Sequence, residues 1–204
     1  MGGMASARTP YQEAARELLR QTLFGAARDR LEERPWSEIT MSDIAAAAGV
    51  SRQTLYKEFG SRNEFGLALV IHEGERFLSE VEKAVLAHVD NPRAAIEAAL
   101  EMFLRTAGED PLFRILLADD GAGGLLPFVT TRAMPVVSWA TARLAGVIEE
   151  GWPQAAKSDV NLLSESLVRL AISHITAPGD SPDTTASSVA DLLGPFIDRA
   201  LGAA

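Results

Sequence analysis

Apolar residues recur along this chain at the three- and four-residue spacing of amphipathic helices. Met41, Ile44, Ala45 and Ala48 form one such face over a short segment, and longer stripes follow. No segment shows the alternation of apolar and polar residues that a half-buried strand requires. Helix caps, glycines and prolines divide the stripes into roughly nine helices. The pattern therefore predicts an all-α fold.

Residues 40–64 predict two short helices joined by a tight turn, followed by the start of a third helix. Thr40 caps the first helix, and Gly49 ends it in the left-handed conformation that glycine favours. Ser51 caps the second helix and Gly60 stops it. This is the helix-turn-helix shape, whose second helix can enter the major groove of DNA.

The outward side chains of this motif suit DNA binding. Arg and Gln can read base edges, whereas Lys, Tyr and hydroxyl groups bind phosphates. We expect Arg52 and Gln53 to lie nearest the bases. The predicted DNA contacts are Thr40, Ser42, Ser51, Arg52, Gln53, Thr54, Tyr56, Lys57 and Ser61. On the physical pattern alone, a plain helical hairpin with a polar face is the alternative.

The literal residues of 36–64 add a more specific signal. They contain Ile-Ala, Ala-Gly-Val-Ser, Leu-Tyr and Phe in that order. This run resembles the N-terminal motif of the TetR family of bacterial transcription regulators. Gln53 stands where the family usually has glycine, alanine or proline, Glu58 where an aromatic residue or histidine is frequent, and Arg62 for the usual lysine. The departures at Gln53 and Glu58 bear on the operator sequence and not on the fold.

The resemblance implies a dimeric, ligand-responsive regulator, expected to be a repressor, that binds an inverted repeat in double-stranded DNA. Residues 1–62 would form the helix-turn-helix DNA-binding domain, and residues 63–204 would form a helical domain for ligand binding and dimerisation. The helices over 158–177 and 182–203 would pair with their copies as a four-helix bundle. The predicted dimer contacts are Leu163, Leu167, Leu170, Leu192 and Phe196.

The resemblance also implies a ligand cavity among the middle helices, which are rich in Phe, Leu, Met and Val. These predicted helices span 63–88, 92–107, 111–118 and 127–150. The predicted lining residues are Phe77, Val81, Phe103, Leu104, Phe113, Leu117, Met134 and Val137. Burial of apolar area would select a hydrophobic ligand. A long-chain fatty acid or similar lipid is the leading hypothesis and a hydrophobic drug the second, with Arg105, Arg132 or Arg143 nearest to hold a polar head.

The charge of the chain is distributed unevenly. The formal net charge is −9, yet residues 1–64 contain nine basic and nine acidic residues, so the whole excess lies beyond them. A neutral domain with a few well-placed cations is expected to bind non-specific DNA weakly and to lose affinity steeply with salt.

Other classes of protein receive little support. The chain has no cysteine, no apolar run long enough for a membrane span and no apolar stretch near its start, so a cytoplasmic protein is the simplest inference. His72, His88 and His174 lack metal-ligand spacing, and no nucleophile or cofactor motif is present, so we expect neither an enzyme nor a cofactor. A helical scaffold without DNA binding is the remaining alternative, and the presence of Arg52 and Lys57 argues against it.

Overall fold

The structure is a computed structural model that describes residues 10–118 and 124–202. Within those residues it contains nine α-helices, two short 3-10 turns and no strand, which confirms the predicted all-α class. The chain divides into two units, Met1–Phe65 and Gly66–Ala204. Thr9, expected to cap the first helix, lies outside the described residues.

The two units contain different parts of the helix series. The first unit holds α1 (Pro10–Glu33), α2 (Met41–Ala47), α3 (Arg52–Phe59) and the start of α4 (Arg62–Leu86). The second holds the rest of α4 and then α5 (Pro92–Glu109), α6 (Pro111–Ala118), α7 (Met134–Gly151), α8 (Lys157–Thr176) and α9 (Pro182–Leu201). The 3-10 turns cover Trp36–Glu38 and Leu126–Phe128.

The start of α7 differs from the sequence-based expectation. The pattern predicted a helix from Pro127, but that residue lies in a 3-10 turn and the helix begins at Met134. Pro135 occupies the first turn of α7, where its missing N–H would have no helical partner anyway. The proline therefore marks the start of the helix instead of kinking its interior.

Aromatic rings form the centre of the first unit. Phe65 has no exposed surface, and its ring centroid lies 4.8 Å from that of Phe59 and 5.7 Å from that of Phe24. Trp36 is buried and stacks on Phe65, with an interplanar angle of 3° and a centroid distance of 6.2 Å. Residues from α1, α3, α4 and the first 3-10 turn therefore share one core.

The second unit is built on two helix pairs, α5 with α9 and α7 with α8. Arg93 of α5 crosses α9 at Gly194, where an added Cβ would lie 2.5 Å from the Arg93 Cζ atom. This close approach lets the guanidinium pair with Asp198 one turn farther along, and the ion pair lowers the pKa of the Asp198 carboxyl. Helix α9 continues through Pro195 to Leu201.

Gly60 makes the sharp turn between α3 and α4. Its backbone angles are φ 77° and ψ −66°, and the Ser61 N–H donates to the Phe59 carbonyl at 2.9 Å. These values describe a γ-turn of the strained kind, which an L-residue with a side chain rarely adopts. A Cβ at this position would also meet the Glu64 Oε2 atom at 2.5 Å.

We expect Gly60→Ala to lower the free energy of unfolding by about 1–3 kcal/mol, the usual cost of a strained backbone angle. Chemical denaturation of the full chain measures it. Gly25→Ala is the matched control, because Gly25 lies in the exposed interior of α1 with nothing within 4 Å of an added Cβ. That control should stabilise by roughly 0.5–1 kcal/mol. Equal effects of the two substitutions would contradict the assignment of strain to Gly60.

Candidate DNA-binding surface and ligand cavity

Helix α3 buries its apolar residues and exposes its basic ones. Leu55 and Phe59 are buried, whereas Arg52, Gln53 and Lys57 are exposed. The Arg52 guanidinium lies over the Tyr56 ring, with its Cζ atom 5.2 Å from the centroid. This stacking restricts Arg52 to a position on the outer face of α3.

The Ser51 hydroxyl caps the N-terminus of α3, and the Thr54 hydroxyl lies next to it. Ser51 Oγ accepts a hydrogen bond from the Thr54 N–H at 3.0 Å, and the Ser51 and Thr54 hydroxyl oxygens are 2.8 Å apart. Both residues are thereby held at the same end of the helix as Arg52. The two hydroxyl groups therefore lie close to Arg52 and Gln53, the residues expected to contact bases.

The cap that the sequence predicted at Thr40 is a complete capping box with Asp43. The Thr40 N–H and hydroxyl donate to Asp43 Oδ2 at 2.8 and 2.7 Å, and the Asp43 N–H donates to Thr40 Oγ1 at 3.2 Å. These bonds from Thr40, with a smaller contribution from Arg34, lower the pKa of the Asp43 carboxyl. The Thr40 hydroxyl already donates to a carboxylate, whereas Ser42 beside it is exposed.

At the start of α4, Ser61 and Glu64 have the residue types of a capping box, but the box forms only in part. The Glu64 N–H donates to Ser61 Oγ at 3.1 Å. The Ser61 N–H donates to the Phe59 carbonyl in the γ-turn, so it serves that turn instead of the Glu64 side chain. Ser61 remains at the N-terminal end of α4, close in sequence to the end of α3.

Glu58 faces α1 and not the outer surface of α3. The Arg16 Nε atom donates to both carboxylate oxygens at 2.7 and 2.8 Å, and Arg20 Nη1 donates to Oε1 at 2.9 Å. The Glu58 side chain is 11% exposed. Sequence reasoning treated this departure from the family motif as an operator determinant, but the contacts make it a tie between α3 and α1. The sequence did contain a sign of this contact. Arg16 and Arg20 lie one turn apart on α1, so both can reach the same carboxylate.

An apolar cavity of about 120 Å³ lies inside the second unit. Its walls come from α4, α5, α6, α7 and α8 together with the segment before α7. The described lining residues are Leu69, Val70, Glu73, Gly74, Leu78, Val81, Ile96, Ala99, Leu100, Phe103, Phe113, Leu125, Val129, Val136, Trp139, Ala140, Leu144, Leu167, Val168, Ala171, Ile172 and Ile175.

The cavity uses a different set of side chains from the predicted one. Val81, Phe103 and Phe113 belong to its lining, whereas Phe77, Leu104, Leu117, Met134 and Val137 do not. Phe77 packs behind the wall, edge-on to Phe113 at 4.5 Å. Met134 is 57% exposed because it is the first residue of α7. A helical stripe identifies the buried face, but it does not tell which buried residues meet empty space.

Glu73 is the one charged residue among the described lining residues. It is 5% exposed, and its Oε2 atom accepts a hydrogen bond from Arg76 Nη1 at 3.2 Å. Sequence reasoning missed it because the surrounding segment of α4 contains several charged residues and gives no sign of which one turns inward. Only the packing of α4 against its neighbours distinguishes Glu73.

None of the three arginines expected near a ligand head group lines the cavity. Arg105 pairs with Glu101, and Arg143 Nη2 lies 3.3 Å from Glu82 Oε2. Arg132 is exposed beside the Phe128 ring. The cavity as it stands therefore has none of these cations in its described lining, and it carries an acidic residue, Glu73, instead.

The predicted dimer residues also separate into two groups. Leu163 and Leu167 are buried within their own unit, and Leu167 lines the cavity. They are thus unavailable to a partner, because α8 uses this face to pack on α7 and α5. Leu170 and Phe196 are partly buried, whereas Leu192 is 73% exposed. Leu162, one position from the predicted stripe, is 56% exposed.

Two family models match the chain along most of its length. The model described as "Bacterial regulatory proteins, tetR family" matches residues 23–69, and "Bacterial Tetracyclin repressor, C-terminal domain" matches residues 90–195. The HTH-type transcriptional regulator AlkX of Mycobacterium tuberculosis is 38% identical over 94% of this chain and 91% of that protein. The chain belongs to the TetR family.

Two solved structures agree with this chain in fold. The TetR family repressor AlkX from a Dietzia species, implicated in biodegradation of n-alkanes, has a TM-score of 0.77 and 34% identity, covering 98% of this chain and 100% of that chain. RolR in complex with resorcinol has a TM-score of 0.59 and 21% identity, covering 93% and 97%, and shows the fold alone.

Family membership establishes the general class of activity. This TetR-family chain is a helix-turn-helix transcription regulator and not an enzyme. Among the described residues, no helix has the length and hydrophobicity that a membrane span requires.

Proposed function

We propose that this TetR-family protein is a dimeric repressor that an apolar small molecule releases from its operator. The observation that carries the proposal is the presence of two features in one chain. The first unit has a helix-turn-helix with Arg52, Gln53 and Lys57 exposed on α3, and the second unit contains an apolar cavity. The first feature suits DNA binding, and the second suits a hydrophobic ligand.

On DNA, α3 occupies the major groove, with Arg52 and Gln53 toward the bases. Lys57, Tyr56, Ser42 and the Thr40 end of α2 contact phosphates. The stacking of Arg52 on Tyr56 supports this role, because a side chain already restricted loses less conformational entropy on binding. A dimer that places two such helices about 34–36 Å apart reads an inverted repeat.

The inducer belongs to the class of long-chain fatty acids and similar lipids. The described lining is apolar apart from Glu73, and the Dietzia AlkX repressor is implicated in biodegradation of n-alkanes. An apolar cavity of the order of 150 Å³ holds a benzene-sized molecule, so a longer chain must enlarge the present one. Such a ligand binds the enlarged state better, and this preference can shift the conformational equilibrium.

Helix α4 links the ligand cavity to the DNA-binding unit. Leu69, Glu73 and Gly74 of α4 belong to the cavity wall, and the same helix begins at Arg62, whose Nη2 atom donates to the Trp36 carbonyl at 2.5 Å. Trp139 rests against α4 where Gly74 leaves room, since a Cβ there would lie 2.8 Å from the ring. Enlarging the cavity displaces α4 and so changes the spacing of the two recognition helices.

The dimer interface uses the outward faces of α8 and α9. Leu162 and Leu192 are the strongly exposed apolar residues on these helices, with the partly buried Leu170 and Phe196 near them in sequence. Isolated exposed leucines are common on protein surfaces, so the resemblance of the whole chain to dimeric regulators supports this interface more than exposure does. These residues replace Leu163 and Leu167 as the proposed contacts.

Arg52→Ala should weaken operator binding by about 1–3 kcal/mol while affecting random DNA less, because a base contact carries sequence information. Lys57→Ala should weaken binding to operator and to random DNA alike, and it should make the affinity depend less steeply on salt concentration. Fluorescence anisotropy with operator and scrambled duplexes measures both. Lys83→Ala, at an exposed lysine in the last turn of α4, is the control and should leave affinity unchanged. An unchanged operator affinity for Arg52→Ala would rule out Arg52 as a base-reading residue.

Leu192→Glu should convert the dimer to a monomer without unfolding it. The side chain is already 73% exposed in a single chain, so the charge costs little there but opposes burial against a partner. Light scattering should give a mass near 21.8 kDa for the variant and about twice that for the parent. Leu18→Glu, at a residue 66% exposed on α1, should remain dimeric. A parent protein that is monomeric at micromolar concentration would contradict the proposed dimer.

Fatty acids of increasing chain length should release the protein from operator DNA with increasing potency. Each buried methylene contributes ~0.8 kcal/mol, roughly fourfold in affinity, until the cavity is filled. Quenching of Trp139 fluorescence should accompany binding, because this ring lines the cavity, and Trp139→Phe should lose most of that signal. The proposal fails if apolar molecules of every length leave the operator complex intact.

A further inference from the structure

We infer that Arg62 is a positioning residue for DNA binding, which joins the two ends of the helix-turn-helix and acts through them instead of contacting a phosphate. Arg62 is the first residue of α4 and follows the helix-turn-helix directly. The inference rests on the proposed role of α3 in reading DNA. It adds a residue that is not among the proposed DNA contacts.

The Arg62 side chain reaches back to the segment that precedes α2. Its Nη2 atom donates to the Trp36 carbonyl at 2.5 Å and to the Ile39 carbonyl at 3.3 Å. Its Cζ atom also lies 4.6 Å from the centroid of the Trp36 ring. Trp36 and Ile39 are 2% and 1% exposed, so the guanidinium binds a part of the chain that is itself fixed by burial.

These contacts close the helix-turn-helix into a loop. Ile39 immediately precedes Thr40, the N-cap of α2, and Arg62 follows the Gly60 turn that ends α3. Residues 40–61 therefore lie between two points that one side chain joins. Joining the ends of a segment restricts the conformations open to everything between them. Arg62 thereby fixes the orientation of α2 and α3 relative to the start of α4.

The helix cap of α2 does not depend on Arg62. Thr40 and Asp43 form their capping box within α2, and Arg34 Nη2 lies 3.2 Å from Asp43 Oδ2. Arg62 instead holds the carbonyl of the residue before the cap. Loss of Arg62 should therefore leave α2 capped and change the direction from which the chain enters it. The expected effect is on the placement of α3 and not on helix formation.

The chemistry of the guanidinium suits this role better than that of an ammonium group. A planar guanidinium can stack its face on an aromatic ring while the N–H groups at its edge donate to carbonyls. Lysine, the usual residue of the family at this position, has a compact ammonium without that plane. To bind a phosphate instead, the Arg62 Nη2 atom would have to give up its bonds to two backbone acceptors, which is costly for groups removed from water.

The salt dependence of binding separates positioning from a phosphate contact. The full-length protein is titrated, at several salt concentrations, into a fluorescent duplex selected for tight binding from a random-sequence pool and into a scrambled duplex. We expect Arg62→Ala to weaken binding to the selected duplex about tenfold, comparable to the loss of one base contact, because α3 is held less precisely. Binding to the scrambled duplex and the salt slope should stay parental, because no phosphate contact is lost.

Two further arginine and lysine variants serve as comparators. Lys57→Ala removes an exposed cation from α3, so it should weaken binding to both duplexes and reduce the salt slope by about 1. Arg30→Ala removes the same charge as Arg62→Ala from the same unit, but Arg30 Nη1 donates to Glu33 Oε2 at 2.7 Å on its own helix. That variant should keep parental affinity for both duplexes. Thermal melting defines the temperatures at which every variant is folded, and affinities are compared there.

Arg62→Lys tests the same idea without removing the charge, and it carries the test if Arg62→Ala does not fold. Lysine binds a phosphate as a point charge, so a phosphate contact predicts nearly parental affinity for this variant. Loss of the planar group predicts weaker binding to the selected duplex with a parental salt slope. We expect the second result.

The possible outcomes separate this inference from the proposed function. Weaker binding of Arg62→Ala to both duplexes with a flattened salt slope would make Arg62 a phosphate contact and overturn the inference. Parental affinity of Arg62→Lys for the selected duplex would overturn it as well. In either case the proposed DNA binding by α3 stands. A parent protein that selects no duplex from the pool would contradict the proposed DNA binding itself.

Discussion

The burial of Phe65 is the packing interaction on which the DNA-binding unit depends. Its ring contacts Phe24 of α1, Phe59 of α3 and Trp36 of the 3-10 turn, so one side chain of α4 connects the rest of the unit. Each aromatic pair contributes about 0.5–1.5 kcal/mol beyond the burial of area. The short helices α2 and α3 would be marginal alone, because isolated helices under about 12–15 residues rarely persist in water. Their geometry comes from this shared core.

Ion pairs hold the acidic residue of α3, Glu58, against α1 and away from the outer face. Glu58 is held by Arg16 and Arg20, and the Arg20 Cζ atom lies 4.6 Å from the Phe59 ring centroid. A carboxylate on the recognition helix would repel phosphates if it were exposed, but here it is turned toward α1 and neutralised. Arg52 and Lys57 are left at the surface. A unit with balanced charge can therefore still present a positive face to DNA.

The second unit combines a packed core with an apolar cavity. Phe77, Phe103 and Phe113 pack edge-on beside the cavity, and Trp139 rests on α4 where Gly74 has no side chain. Protein interiors are normally packed with few voids larger than a water molecule, so a lasting apolar cavity weakens the unit unless a ligand fills it. Glu73 of α4 is the one charged residue among the described lining residues of this otherwise largely apolar cavity.

The sequence by itself determined the all-α class, the helix-turn-helix and the cap at Thr40, because helical periodicity, capping and glycine turns act over a few neighbouring residues. It also indicated the TetR family, since the motif is local. It did not determine which buried residues surround the cavity, that Glu73 faces inward, that Glu58 binds α1, or that Leu163 and Leu167 are used within the chain. Each of these depends on how side chains from distant segments meet, and a stripe on one helix shows a buried face without showing what lies opposite it.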